Sequence, residues 1–201
     1  MFEGTLQFLL ITLALEVTPG PAVLFVLYQS SFGMRYVLSG VAGLLTANIV
    51  WITLVGTGLG LVLIGSPNLF NGLRYVGALY LVYLGYKIAR YGVGSPQAEV
   101  GTKRKSKFKV YRQGMLTSFS NPKALLFFMA LFPQFTRVEH FTSDIVFYGA
   151  LKMLILFVVM TSYGLMGRKF FNRISHSETS KWVFRGLGLA IIVAAYGVAF
   201  G

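Results

Sequence analysis

Residues 16–21 read Glu16-Val17-Thr18-Pro19-Gly20-Pro21, and residues 120–123 read Ser120-Asn121-Pro122-Lys123, each in the middle of a long apolar run. Proline inside a helix removes a hydrogen bond and collides with the preceding turn, and it drives the residue before it toward extended backbone. In both stretches a good N-cap residue, Thr18 or Asn121, stands directly before a proline at the first position of a new helix, Pro19 or Pro122. The spacing predicts two helices that each stop and restart partway along. A restarted helix presents unpaired N–H groups and the positive end of its dipole, which suits a carboxylate.

The surroundings of these breaks decide the solvent. Of 201 residues, 55% are hydrophobic, 15% aromatic and only 12% charged, where soluble chains carry about a quarter charged residues. With a mean hydropathy of +0.68, this is the composition of a membrane protein. Between Arg35 and Arg74 lie 38 residues without a charge, enough for one crossing and most of a second at roughly 20 residues each. Turn formers Gly65, Ser66, Pro67 and Asn68 divide that run. Six apolar segments emerge in the same way, Thr5 to Tyr28, Tyr36 to Ile64, Leu69 to Arg90, Tyr111 to Phe135, Ser143 to Met166 and Lys181 to Phe200. Within the first and fourth, Thr18 and Asn121 fall about 13 and about 10 residues from the ends, close to the bilayer midplane. Irregular backbone at that depth survives only where it is buried in protein or lines a wet cavity. The first five residues carry Glu3 and no basic residue, so no cleaved leader is expected.

Charge sorts the loops. Lys and Arg number 18 against 6 acids, a formal net charge of +12. Fourteen of the 18 fall on one side of a six-span chain: Arg35, the eight from Lys87 to Arg112, and the five from Arg168 to Arg185. The other side holds Arg74 and Arg137. By the positive-inside rule the first set is cytoplasmic and both termini lie outside. The charge thus records orientation and attraction to anionic headgroups, with no nucleic-acid partner required. Residues 92–109, GVGSPQAEVGTKRKSKFK, form a basic cytoplasmic loop between two halves, 1–91 and 110–201, of three spans each. Three spans repeated in one chain must insert the second time upside down, the inverted-repeat plan of many secondary transporters. Thr18-Pro19 matches Asn121-Pro122, and Arg74-x-x-Gly77 matches Arg185-x-x-Gly188. The expected fold class is an all-α integral membrane protein of six transmembrane helices in two inverted repeats, with helices 1 and 4 broken near the midplane.

Three ionisable residues remain inside the spans, Glu16, Lys123 and Lys152. A charge at the centre of a membrane helix costs about 2.5–3.5 kcal/mol by insertion scales, so each should face a cavity or a partner. Lys123 reads as a ligand for a carboxylate. Glu16 reads as a ligand for an ammonium group or as a proton carrier, unless it pairs with Lys123 or Lys152 in a structural salt bridge. Lys152 either lines the same cavity, pairs, or extends toward the interface. Asn48, near the middle of the second apolar segment, either bonds across helices or lines the pathway.

The segments TPGPAVLFVL, GALYLVYLGYKIAR and SNPKALLFFMALFPQF, in this order and spacing, resemble the LysE/RhtB family of bacterial amino-acid exporters. The resemblance covers nearly the whole chain apart from the basic loop and the Lys169 to Lys181 connection, and the PGP form is similar to the branch that exports neutral amino acids. It implies an exporter of small amino acids in the plasma (inner) membrane, driven by the proton-motive force and dimeric. The family's motif positions carry over as Pro19, Gly20 and Pro21, and as Asn121, Pro122 and Lys123. Many members of the homoserine/threonine-type branch place Asp or Asn directly after PGP, whereas this chain has Ala22, and its acid comes earlier, at Glu16.

The other features are plainer. Gly56-x-x-x-Gly60 and Ala190-x-x-x-Ala194 are close-packing motifs for a dimer face or for contacts within the monomer. Tyr75, Tyr80, Tyr83 and Tyr86 read as an interfacial belt. His140 and His176 fall in loops without ligand-spaced partners, and the chain has no cysteine, so neither metal nor other cofactor is expected and a thiol relay is excluded. No nucleophile elbow, Walker loop or His–carboxylate pair on one helix face points to an enzyme. The site residues expected from sequence are therefore Thr18, Pro19, Gly20, Pro21, Asn48, Asn121, Pro122 and Lys123 for substrate, and Glu16 for protons. Export of another small solute or a metal ion on a related fold is the alternative.

Overall fold

A computed structural model of the chain describes residues 2–58, 66–91, 106–174 and 179–200, and among these the secondary structure is helical throughout. The first apolar segment forms α1 (Phe2–Val17) and α2 (Pro21–Ser30), which meet at an angle of 57°. After a turn through Gly33, whose φ of 117° strongly favours glycine, comes α3 (Met34–Gly56). Then follow α4 (Pro67–Tyr91), α5 (Lys107–Phe119), α6 (Pro122–Leu126), α7 (Phe141–Ile174) and α8 (Thr179–Phe200). The basic loop lies outside the described residues except at its end, where Ser106 caps a helix starting at Lys107. Gly60 and His176 also lie outside them.

α3 and α7 are each long and apolar enough to cross a membrane, and the two bent pairs, Gly4–Val17 with Pro21–Ser30 and Lys107–Phe119 with Lys123–Phe135, bring the number to four. At 34 residues, or about 51 Å, α7 is longer than the expected Ser143–Met166 and than a hydrocarbon core of about 30 Å, and its extra turns include Arg168, Lys169 and Arg173. α3 ends earlier than expected, at Gly56, where Gly58 turns to φ 74°.

Both breaks lie where the prolines predict, but the first restarts two residues later than the sequence pattern indicates. Thr18 does not cap the new helix. Its hydroxyl donates back to the Ala14 carbonyl at 2.7 Å and closes α1. The N-cap is Gly20, in extended backbone, and the proline at the first helical position is Pro21, not Pro19. At the second break Asn121 caps as expected, its side-chain oxygen accepting from the Lys123 N–H at 3.1 Å, with Pro122 opening the helix. The two restarts thus begin at Gly20-Pro21 and at Asn121-Pro122. Downstream, Pro133 has no N–H for the i−4 carbonyl, and the ladder there loosens to a π turn at Phe127–Leu131 and tightens to a 3₁₀ turn at Phe132–Phe135.

Helix pairs approach through glycine. A Cβ on Gly114 would lie 2.2 Å from the Gly40 carbonyl oxygen, and one on Gly43 would lie 2.0 Å from that of Tyr111, so α3 and α5 run backbone against backbone. α4 and α8 cross in the same manner at Gly85 and Gly188. Without a hydrophobic force between helices in lipid, such close packing is what holds them together. Gly114→Val is therefore expected to cost about 1–3 kcal/mol by forcing the pair apart, seen as a lower unfolding temperature in detergent. Gly186→Ala, with open space around its Cβ position, should change nothing.

Two apolar clusters fill the interior. One gathers Phe25, Val37, Leu44, Leu81, Leu156 and Phe184. The other gathers Phe8, Trp51, Phe127, Phe128, Phe132 and Tyr148. Polar side chains fall between the two clusters along several of the segments that join them.

Candidate functional site

Three segments pass from one cluster to the other, and each carries a polar residue at the crossing. On α3, Asn48 falls between Leu44 and Trp51; on α7, Lys152 falls between Tyr148 and Leu156; along α1 and α2, Glu16 falls between Phe8 and Ala22. The second break adds Ser118, Asn121 and Lys123. All six line one cavity together with Leu15, Ala22, Leu44, Phe127 and Met160. Sequence spacing predicts that Glu16, Asn48, Asn121 and Lys123 share a site, and the fold brings them together. The stated neighbours Thr18 and Pro19 are exposed, and the Thr18 side chain is turned away; what Thr18 contributes is its backbone carbonyl. Pro21 is buried, at the head of α2.

Each charge has a definite partner. The ammonium of Lys152 forms an ion pair with the Glu16 carboxylate, the lysine only 4% exposed, and lies 4.7 Å from the centre of the Phe127 ring. The sequence left Glu16 open between ligand, proton carrier and salt bridge; in this conformation it is in the bridge. Lys123 makes no ion pair among the described residues. Its Nζ donates to the carbonyls of Leu15 at 2.8 Å and Thr18 at 2.5 Å, closing off the frayed end of α1. Gly20 permits this, because a Cβ there would lie 2.9 Å from the Lys123 Cε.

The neutral groups complete the wall. Asn48 is 1% exposed, and its Nδ2 donates to Leu44 O at 2.8 Å and to Ser118 Oγ at 3.1 Å. Its Oδ1 accepts from no described group, a buried acceptor of the kind that costs about 1–3 kcal/mol when left alone. Ser118 and Tyr163 escaped the sequence reading, since single hydroxyls in a span carry no periodic signal. The Tyr163 hydroxyl donates to Val17 O at 2.6 Å, beside the first break. At the far end Arg137 clamps Asp144, with Nε to Oδ2 at 2.9 Å and Nη2 to Oδ1 at 2.8 Å, tying the end of the fourth apolar segment to the start of α7.

The cavity itself measures about 20 Å³, room for about one water. Two cations, one carboxylate and three uncharged polar side chains thus converge on a narrow chamber at the break points of two helices. Such a chamber can hold a small zwitterion only after the walls part. It contains no nucleophile with a paired base.

The LysE type translocator profile matches residues 13–200, a stretch that contains both breaks and every polar residue of the cavity. The chain belongs to the LysE type translocator family. Two curated relatives, both described as homoserine/homoserine lactone efflux proteins, come from Salmonella typhimurium and Salmonella typhi. They are 28% and 27% identical over 197 residues, covering 96% of this chain and 95% of each relative. No solved structure matches. This translocator is accordingly a multi-pass membrane transport protein and not an enzyme.

Proposed function

We propose that this translocator exports small, mostly neutral amino acids or close derivatives from the cytoplasm across the plasma (inner) membrane, coupled to the proton-motive force. The observation that carries the reading is the chamber where the two broken helices meet, with Glu16, Lys123 and Lys152 converging on it. Six spans in two inverted repeats, with both termini outside and the basic loops cytoplasmic, would place that chamber at the midplane and let rocking of the repeats open it to either side. Family membership and the efflux relatives support the direction of transport.

Substrate chemistry follows from the groups present. The relatives' two named substrates, homoserine and its lactone, share a free α-ammonium, but only homoserine has a carboxylate. A site that takes both must hold the ammonium as the common handle and treat the carboxylate as an addition. Glu16 is the proton-sensitive group: a proton taken up from the outer side would release Lys152, and its loss to the cytoplasm would re-form the pair and couple the cycle to the gradient. Lys123 receives a carboxylate when there is one, and Asn48 and Asn121 supply neutral hydrogen bonds.

Uptake of labelled homoserine into inside-out vesicles tests the reading. An acidic lumen of one pH unit should support about tenfold accumulation at one proton per substrate, and Glu16→Gln should lose the dependence on the gradient. If no amino acid accumulates under either condition, the reading is wrong.

A further inference from the structure

A helix leaves its last carbonyls without N–H partners, and the negative end of its dipole favours a cation there. At the C-terminus of α1 these carbonyls lie beside the chamber, which Leu15 and Lys123 line. Two of them, Leu15 O and Thr18 O, hold the Lys123 ammonium at 2.8 and 2.5 Å. A third, Val17 O, is taken by the Tyr163 hydroxyl. The carboxylate of Glu16 and the unpartnered Oδ1 of Asn48 lie on the same chamber. A pair of convergent carbonyls beside a carboxylate matches a primary ammonium, which brings several N–H donors and one positive charge. Lys123 is already such a group, delivered on a flexible stem from the opposite half of the chain.

We infer that the carbonyls of Leu15 and Thr18 form the ammonium subsite of the chamber, and that Lys123 occupies it in this conformation as a tethered stand-in that the substrate's α-ammonium displaces. The inference deepens the export reading by assigning the ammonium contact, and the cradle itself stands on the geometry alone. Displacement has a second effect. The released Lys123 carries its charge to the substrate carboxylate, so seating one end of an amino acid prepares the partner for the other. A lactone offers no carboxylate, and it leaves the released lysine unpaired. With its own ammonium seated, the protein closes down to the small chamber seen in this conformation, keeping the α1 terminus capped while no cargo is carried.

The test uses purified full-length protein and n-propylammonium, which restores the part of the lysine stem beyond Cβ that Lys123→Ala removes. At ten times its dissociation constant the amine should raise the unfolding temperature of Lys123→Ala by about 3–6 °C, and that of the parent by less than a third of this. Tetramethylammonium, which has no N–H, should give neither shift. Gly20→Ala provides an independent variant: the added Cβ would press on the Lys123 Cε and dislodge the ammonium without removing it, and it should also gain sensitivity to the amine. Equal shifts in parent and variants, or no shift in either variant, overturn the subsite. Amine selectivity in a protein that moves no amino acid would leave the subsite standing and remove the export reading. Amino-acid transport without amine selectivity would do the reverse.

Discussion

Lys123→Ala is expected to lower homoserine export by about a hundredfold or more, measured per folded protein in vesicles. The lysine is the one cation of the chamber without a carboxylate partner among the described residues, so its charge is available to a substrate once the α1 carbonyls release it. Losing one partner of a buried, charge-assisted contact costs about 2–5 kcal/mol, which spans roughly thirtyfold to several thousandfold in rate. Export of homoserine lactone should fall less, because the lactone has no carboxylate for Lys123 to meet. Folded yield should drop only modestly: of the two carbonyls left behind, Leu15 O belongs to a residue lining a chamber that admits a water, and Thr18 is exposed, so water can bond both. Equal loss for both substrates, together with a collapse in yield, would assign Lys123 a purely structural role as the cap of α1.

The second large effect concerns the ion pair. Lys152→Met should cost about 3–5 kcal/mol, since it leaves the Glu16 carboxylate, 14% exposed, without its counter-ion in a membrane interior. Against a total stability of about 5–15 kcal/mol, that removes much of the margin and should lower the unfolding temperature markedly. The double variant Glu16→Gln/Lys152→Met should recover most of the loss, because neither charge is then stranded. It should remain inactive in gradient-driven uptake, whereas a bridge that serves stability alone would let activity return with the fold. Thermal unfolding and vesicle uptake on the four members of this cycle separate the two roles. A Lys152→Met protein as stable as the parent would rule out a strong pair.

Which of these features could be read before any fold was known follows from the range of the forces involved. The breaks at residues 18–21 and 121–122 were legible because a proline's effects reach no further than its own turn. Even so, the choice between Pro19 and Pro21 as the restart was not. Both satisfy the local rule, and the extended conformation falls at Gly20, the residue that Lys123 from the other half of the chain packs against. The match of Thr18-Pro19 to Asn121-Pro122 was displaced by two residues for the same reason. Likewise the burden of charge in the spans was evident, while its pairing was not: Glu16 had two lysines within reach on paper, and only the packing of α7 beside α1 chose Lys152.

The sequence by itself determined the solvent, the apolar segments, the two breaks and the short list of groups that membrane burial makes costly, because composition, periodicity and proline chemistry act locally along the chain. Only the tertiary structure decided that Asn48, Ser118, Asn121 and Lys123 meet Glu16 and Lys152 around one chamber, that Lys123 holds backbone oxygens in place of a carboxylate, and that the chamber has room for about one water. Those outcomes depend on how near helices distant in sequence can approach, which glycines at the crossings set, and no local pattern encodes that distance.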